Sequence, residues 1–455
     1  MKLDDFFSPS RTMLPAIKTR RYELSYGDLE VEVFNSAEKL KENNLTAGAV
    51  VALSDDDPLN FVSYFLAALS LDLCILPLDS SLNEHEIAKI LQYVRPFLKI
   101  DSNSQFQTFE NSREIDASVI QFTSGSTGQP KGIVLKERAL SARYKNLAKN
   151  LSLTSDDRTL CTLPLSHSHG LDCLALPTLY AGGCLHLISP QNANPQAVLE
   201  CIDVEEITFF SSVPLFYRMC LELKPDAKFR LQSLRHMFCG SAAISPSTLK
   251  DFSARYGRHI TQGYGLAEIG VICTYHHNSL RDGDSLQAES VGTAIEGIQM
   301  RVDQESQLLA KGEALFDHYL DNPALSQKML VNGELQTQDL AQINSDGLVY
   351  ILGRKSDFIN VGGNKLSPLE IENLLSVFPE LKSFAAIGRI DPDYGEVPVL
   401  HIEFSGSAEE QEMMKIKIMQ RLRSHLAKFK IPREIIFSEQ LPKSSLGKVL
   451  KAKLP

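Results

Sequence analysis

Between residues 49 and 260 the chain repeats one pattern: a short apolar run, a turn, then an amphipathic helical stretch. The runs 49–53, 73–76, 159–163, 184–188, 207–210 and 235–239 are short and rich in aliphatic residues. Helical spacing marks Leu29, Val33, Ala37 and Leu40 before them. Helical stretches also follow the runs, at 61–70, from Glu84 with Ile87, Ile90, Leu91 and Val94 on one face, and at 171–181, 195–202, 214–223 and 246–256. Asp57 supplies a cap acceptor for the helix that Pro58 opens. Strands buried on both faces read as continuous apolar runs, and their alternation with helices predicts a parallel sheet covered on both sides. The expected class is α/β, and 455 residues are too many for one core, so two or more domains follow.

Composition narrows the function classes. A formal charge of −10 argues against nucleic acid as a partner, because a phosphate backbone demands a basic face. A local basic cleft for a small anion stays open, since net charge says nothing about one site. Eight cysteines show no C-x-x-C pair and no zinc spacing, the usage of reduced thiols in a cytoplasmic protein. The opening Met1-Lys2-Leu3-Asp4-Asp5 lacks the basic and apolar regions of a signal peptide. Asp72 interrupts the most apolar segment, 61–78, which reads as helix and strand rather than a membrane span.

One loop carries chemistry. Val119-Ile120-Gln121-Phe122 leads into Thr123-Ser124-Gly125-Ser126-Thr127-Gly128-Gln129-Pro130-Lys131-Gly132, and a helical pattern with Leu140, Tyr144, Leu147 and Leu151 follows. Placed between strand and helix, such a loop offers backbone N–H groups and hydroxyls to phosphate oxygens, with glycines admitting close approach. Lys131 adds a point charge. The Gly-Lys-Ser/Thr ending of a Walker loop is missing, which disfavours an ordinary P-loop ATPase.

From Val291 the rhythm changes to short alternating runs at 298–302, 313–317 and 348–352, the pattern of a smaller antiparallel sheet. A boundary near Gly353-Arg354 divides the chain into 1–354 and 355–455, the latter long enough for an independent domain. That remainder reads β-β-α-β-β-α, with strands at 358–361, 384–388 and 397–404 and helices at 368–376 and 410–428. Met414, Ile418, Leu422, Leu426 and Phe429 give the last helix a face for its own sheet.

With these parts in order, the chain resembles the adenylate-forming, AMP-binding superfamily of acyl-CoA synthetases, nonribosomal adenylation domains and luciferases. The resemblance starts at Leu24-Ser25-Tyr26-Gly27-Asp28-Leu29 and covers nearly all of the chain. It implies a large N-terminal domain of parallel α/β sheets plus a small β-structure, and a small mobile α+β C-terminal domain. It implies that the 123–132 loop, including Thr123, Ser124, Gly125, Ser126, Thr127, Gly128 and Lys131, grips the β- and γ-phosphates of ATP. Pro164-Leu165-Ser166-His167-Ser168-His169-Gly170 resembles the segment whose aromatic residue, here His167, lines the carboxylate pocket. A histidine there serves equally as a core residue bonded to a backbone carbonyl; motif position favours function.

Gly240-Ser241-Ala242-Ala243 resembles the strand end flanking adenine and acyl group. Gly263-Tyr264-Gly265-Leu266-Ala267-Glu268 resembles the adenine and magnesium motif, Tyr264 stacking on adenine and Glu268 suiting Mg²⁺ on phosphate oxygens. Ala267 stands where the family has threonine. Thr337-Gln338-Asp339 stands for Thr-Gly-Asp, implying that Asp339 accepts the ribose hydroxyls, with Arg354 as a further charged contact. The hinge position falls on Ser356, with Asp357 beside it. Gly362 and Gly363, in Val361-Gly362-Gly363-Asn364-Lys365, match the loop that forms the thiol tunnel. Lys448, in Leu441-Pro442-Lys443-Ser444-Ser445-Leu446-Gly447-Lys448, matches the catalytic lysine.

The implied reaction is attack of a carboxylate on the α-phosphorus of ATP, releasing pyrophosphate. Two anions meet, so positioning and charge neutralisation dominate, and the ionised nucleophile needs no general base. A thiol then takes the acyl group after the small domain rotates. The pocket candidates His167, Ser212, Ala242, Gly263 and Ile269 offer no charged anchor, which favours an aryl or medium acyl acid over an α-amino acid; Asp172 lies just beyond the segment. The His-Ser-His-Gly-Leu segment also resembles malonyl-CoA synthetases, yet Arg218 has the pattern of a surface residue on helix 214–223. Coenzyme A and the phosphopantetheine of a carrier protein both fit as the thiol. The substitutions at 267, 338 and 356 leave a non-catalytic nucleotide-binding relative as the contrasting class.

Overall fold

In the computed structural model, which describes residues 3–123, 131–224, 229–274, 290–444 and 447–455, the apolar runs pair into two seven-stranded sheets. One has the order His318–Tyr319, Lys131–Leu135, Val119–Thr123, Cys74–Leu78, Val50–Ser54, Leu98–Ile100, Phe106–Thr108. Its four central strands are parallel and its edges antiparallel. Consecutive residues Val50, Val51 and Ala52 are all buried, since layers cover both faces. The helix Pro58–Ser70 is buried continuously from Phe61 to Leu69 and is capped by Asp57, whose side chain accepts the Asn60 N–H. A helix apolar all round has no solvent face to offer.

The other sheet runs Thr261–Gln262, His236–Cys239, Phe209–Ser212, Arg158–Cys161, Cys184–Leu187, Pro15–Lys18, Glu23–Ser25. It is parallel except at the last pair. The α/β class expected from the alternation is the observed one. Beyond Ile298 comes an antiparallel five-stranded sheet. Its longest member, Glu334–Ile343, went unread because Thr337 and Asp339 occupy buried positions that a hydrophobic pattern leaves blank.

Three further expectations are corrected. The expected strand 313–317 is a turn between the strands Gln307–Gly312 and His318–Tyr319. The loop after Val119–Thr123 does not run into a helix: Lys131–Leu135 folds back antiparallel, with Thr123 opposite Lys131, before the helix Glu137–Asn150 begins. The loop therefore joins an antiparallel strand pair, and among the described residues the next helix begins only at Glu137, beyond the second strand. Finally, the helix expected at 171–181 is a composite, with a π-helical turn at Leu171–Ala175 followed by Leu176–Ala181.

A separate core gathers Ile359, Val361, Leu366, Ile371, Leu375, Leu400 and Ile402 with Met414, Ile418 and Leu422 of the helix Ala408–His425. That helix starts on a capping box, Ser407 with Glu410. Its sheet adds one unexpected strand, Glu434–Ser438, parallel to Gly395–Glu403. All eight cysteines are free thiols. Among the described residues no helix is long and apolar enough to cross a membrane.

Candidate active site

Three parallel strands, Phe209–Ser212, His236–Cys239 and Thr261–Gln262, end side by side, and the residues that follow lie together at their carboxyl ends. Crevices outside the carboxyl ends of parallel strands are where α/β sheets bind ligands. The Gly240 N–H donates to the Ser212 carbonyl (3.1 Å) and the Gly263 N–H to that of Cys239 (2.9 Å). Among the described residues a Cβ built on Gly263 would meet nothing within 4 Å; one on Gly240 would meet the His169 ring at 3.1 Å.

His169, rather than His167, faces this strand end. Its Nε2 lies 2.7 Å from Ser211 Oγ and its Nδ1 2.9 Å from Ser241 Oγ. Burial, aided by the nearby His167, pushes its pKa down to about 4, so the ring is neutral at physiological pH. Ser241 takes a left-handed backbone (φ 66°), the kind of strain that persists where neighbours over-determine it. His167 turns instead to Asp79, at 2.9 Å. Burial alone would raise the Asp79 carboxyl; hydrogen bonds from His167 and Ser81 outweigh it and hold the carboxyl well below its ordinary range. Ser212 is buried at its strand end, Ala242 is exposed, and Ile269 is packed into the main core.

A second group forms where Glu334–Ile343 pairs with Val349–Arg354, placing Asp339 opposite Arg354. Asp339 Oδ1 is 3.2 Å from Arg354 Nε, and its Oδ2 accepts the Tyr264 hydroxyl at 2.6 Å. Burial raises the Asp339 carboxyl above its ordinary value, with Arg354 and Tyr264 opposing. Gln338 has φ 63°, the left-handed turn that glycine would adopt freely. Gly265 answers to backbone crowding, since a Cβ there would lie 2.3 Å from the Gly270 carbonyl oxygen.

Glu268 sits between these groups. Its Oε1 accepts the Tyr319 hydroxyl at 2.7 Å and its backbone carbonyl accepts the Phe316 N–H at 2.7 Å. Tyr319 escaped the sequence reading because its strand is two residues long; the signal available was an aromatic next to Asp-Asn-Pro turn chemistry. Among the described residues no cluster of three or more His, Cys, Asp or Glu could hold a metal unaided. One carboxylate suits a hard cation that draws its other ligands from phosphate and water.

Lys448 reaches this site from the small domain. The pairing Lys443↔Val449 closes its loop, in which Ser444 N–H donates to the Lys448 carbonyl at 2.8 Å. Though its surface remains open to solvent, crowding in the cleft and the Arg354 charge lower its pKa, opposed by Asp339 and Asp357. Gly362 and Gly363, by contrast, form an exposed turn (φ 58° and 86°) between Ile359–Val361 and Asn364–Leu366. Asp172 is buried on Arg143 at 2.9 Å and is not free for a substrate amine. Arg218 donates to the carbonyls of Leu381 (3.4 Å) and Lys382, so it is neither a pocket residue nor a plain surface one but a contact between domains. Thr123 and Lys131 flank the phosphate loop; Ser124, Gly125, Ser126, Thr127 and Gly128 lie outside the described residues.

Residues 95–315 match the family of AMP-binding enzymes and residues 370–448 the AMP-binding enzyme C-terminal domain. Feruloyl-CoA synthase of an Amycolatopsis species is 30% identical over 350 residues, spanning 74% of this chain and 69% of its own. A 2-succinylbenzoate–CoA ligase of Bacillus cytotoxicus is 25% identical and spans 99% of this chain and 96% of its own. In fold, ATP-bound MatB from Rhodopseudomonas palustris superposes with a TM-score of 0.86 at 24% identity, covering 99% and 96% of the two chains.

Proposed function

The chain belongs to the AMP-binding enzyme family, and we propose that it is an AMP-forming acid–thiol ligase that activates a carboxylic acid with ATP and passes the acyl group to coenzyme A. The observation that carries the reading is convergence: Tyr264, Asp339 and Arg354 meet in one hydrogen-bonded group, and Lys448 feels their charges from another domain. Relatives named for feruloyl-CoA and 2-succinylbenzoate–CoA formation support it.

In this reading Asp339 receives the ribose hydroxyls, each carboxylate oxygen having a second lone pair beyond its present bond. Tyr264 lies against adenine while its hydroxyl keeps Asp339 in place. Arg354 and Lys448 neutralise charge as the acid's carboxylate approaches the α-phosphorus, and Lys131 with the 123–132 loop holds the β- and γ-phosphates. The fitting metal ligand is Glu268, oriented by Tyr319; Mg²⁺ there would supply positive charge to the phosphate oxygens. Pyrophosphate leaves, and a thiol attacks the acyl-adenylate carbonyl, expelling AMP. The hinge position at Ser356, just past the division at 354/355, serves as the pivot between the two half-reactions, with the Gly362-Gly363 turn entering for the second.

The acid is uncharged beyond its carboxylate, an aryl or medium acyl group. Support comes from the charges near the strand ends: His169 is neutral, Asp172 is balanced by Arg143 and Arg218 is engaged elsewhere. Pyrophosphate release on aryl, short, medium, long, dicarboxylic and amino acids, with and without coenzyme A, tests all of this. Turnover on an aryl or medium acid that requires coenzyme A is expected. A stoichiometric burst that coenzyme A does not convert to turnover would replace it with a carrier-protein phosphopantetheine. Silence with every acid would overturn the ligase reading.

A further inference from the structure

One buried guanidinium joins four segments of the site. Arg143, on the helix Glu137–Asn150, is 1% exposed in its side chain. Its Nε donates to the Ala314 carbonyl (3.1 Å), its Nη2 to the Ala267 carbonyl (2.9 Å) and its Nη1 to Asp172 Oδ2 (2.9 Å), with Gln121 Oε1 at 3.5 Å. Ala267 precedes Glu268. Ala314 lies two residues before Phe316, whose N–H holds the Glu268 carbonyl, and five before Tyr319, whose hydroxyl holds the Glu268 carboxylate. Asp172 follows the His167–Gly170 segment, and Gln121 lies on the strand that enters the phosphate loop. The backbone closes on the side chain as well: Gly270 has φ 76°, and a Cβ there would lie 3.1 Å from Arg143 Cγ.

Stability alone accounts poorly for this arrangement. Asp172 Oδ1 and Gln121 Nε2 are buried with no hydrogen-bond partner among the described residues. A buried ion pair with unmet polar atoms is commonly no better for folding than apolar side chains of like volume. What an apolar replacement lacks is direction. A planar fork fixes two carbonyls and a carboxylate at set angles, and a lysine ammonium does not.

We propose that Arg143 is a positioning residue for adenylation, setting the Glu268 carboxylate against the phosphates by clamping the Ala267 and Ala314 carbonyls over Asp172. The role rests on the ligase reading. Two variants separate clamping from plain charge balance: Arg143→Lys, which keeps a cation on Asp172, and Arg143→Met/Asp172→Leu, which removes both charges. Melting temperature, acid-dependent ATP–pyrophosphate exchange and calorimetric ATP affinity in EDTA and in Mg²⁺ are measured for each.

Expected is a melting temperature within about 5 °C of the parent for at least one variant, with kcat reduced about tenfold or more and the acid's KM little changed. ATP affinity in EDTA stays at the parent value, while the gain on adding Mg²⁺ shrinks. A folded variant with parental kcat and parental Mg²⁺ response overturns the proposal. So does failure of both variants to fold, which makes Arg143 a determinant of the fold. Absence of exchange in the parent protein with every acid would instead overturn the ligase reading, and the two calorimetric titrations still judge Arg143 in that case.

Discussion

Two loops of the small domain carry motif residues, and they stand in opposite situations. The 443–449 loop brings Lys448 to Asp339, Arg354 and Asp357, where its ammonium is partly withdrawn from water. The Gly362-Gly363 turn is exposed; among the described residues only Tyr394 lies within 4 Å of a Cβ on Gly362 and none lies near one on Gly363. One domain thus offers the site one loop and holds the other outside. Two chemical steps with different requirements, polyphosphate neutralisation and thiol entry, are served in turn if the domain pivots. Glycines at positive φ also make sense away from packing, because a two-residue turn with both φ values positive connects antiparallel strands with the right twist.

The largest effect that sharpens this contrast is loss of Lys448. Lys448→Ala is expected to slow adenylate formation by about a hundredfold or more while sparing thioester formation from supplied acyl-AMP; equal losses in both would erase the distinction between the loops. The same residue gives a pH signature. Its pKa is lowered by burial and by Arg354, and the proposed role of neutralising phosphate charge requires the protonated form. Adenylation therefore falls as pH rises, with an alkaline limb below the ordinary lysine value of about 10.4. Lys448→Arg, protonated throughout, should move that limb upward.

Gly362→Trp tests the other loop. Thioester formation should fall about tenfold or more and adenylation should hold, since the turn is exposed and the proposal gives it no part in the first step. Gly362→Asn, better suited to a left-handed backbone, controls for strain. Slowing confined to the first step would place the thiol route elsewhere.

A smaller effect belongs to the contacts that keep the Lys448 side docked. Arg218 binds the Leu381 and Lys382 carbonyls, Ser247 Oγ donates to the Ser376 carbonyl at 3.1 Å, and Leu215 lies 3.1 Å from where a Gly447 Cβ would be. A charged hydrogen bond contributes about 1.5–3 kcal/mol, and at the half-buried Arg218 water recovers much of it. Arg218→Ala should lower adenylation roughly threefold to tenfold on that scale and leave thioester formation equal or faster. Equal slowing of both steps would make Arg218 a residue of the helix and not of the docked state.

The two loops also mark what the sequence makes legible. Motif order singled out Lys448, Asp339 and Glu268 because each stands in a short local pattern, and apolar runs of period suited to buried strands located both large sheets. Tyr319, His169 and Arg143 were not reached, since each acts through a partner distant in sequence: Tyr319 through Glu268, His169 through Ser211 and Ser241, Arg143 through Ala267 and Asp172. His169 stands in the same segment as His167, but sequence has no means of saying which of two histidines, two positions apart, faces the strand ends. The strand Glu334–Ile343 was missed because polar Thr337 and Asp339 stand at its buried positions: where polar side chains face inward, hydrophobic alternation disappears.

The smallest expected effect concerns the bend beneath the pivot. Gln338 holds φ 63° and its carbonyl accepts the Lys355 N–H at 2.8 Å, just past Arg354. A non-glycine residue in this region carries a penalty of about 1 kcal/mol. Gln338 recovers part of it through a side-chain bond from Nε2 to Gln307 Oε1 at 3.2 Å. Gln338→Gly removes the penalty and the bond together, while the freer unfolded chain offsets some of the gain. The net change in unfolding free energy should lie within about 1 kcal/mol of zero, measured by urea denaturation. The half-reactions are the sharper readout. If Gln338 only completes a turn, both rates stay at the parent values. If its rigidity biases the pivot toward the Lys448 side, the freer glycine should slow adenylation slightly and quicken thioester formation, tying a single backbone dihedral to the contrast between the two loops.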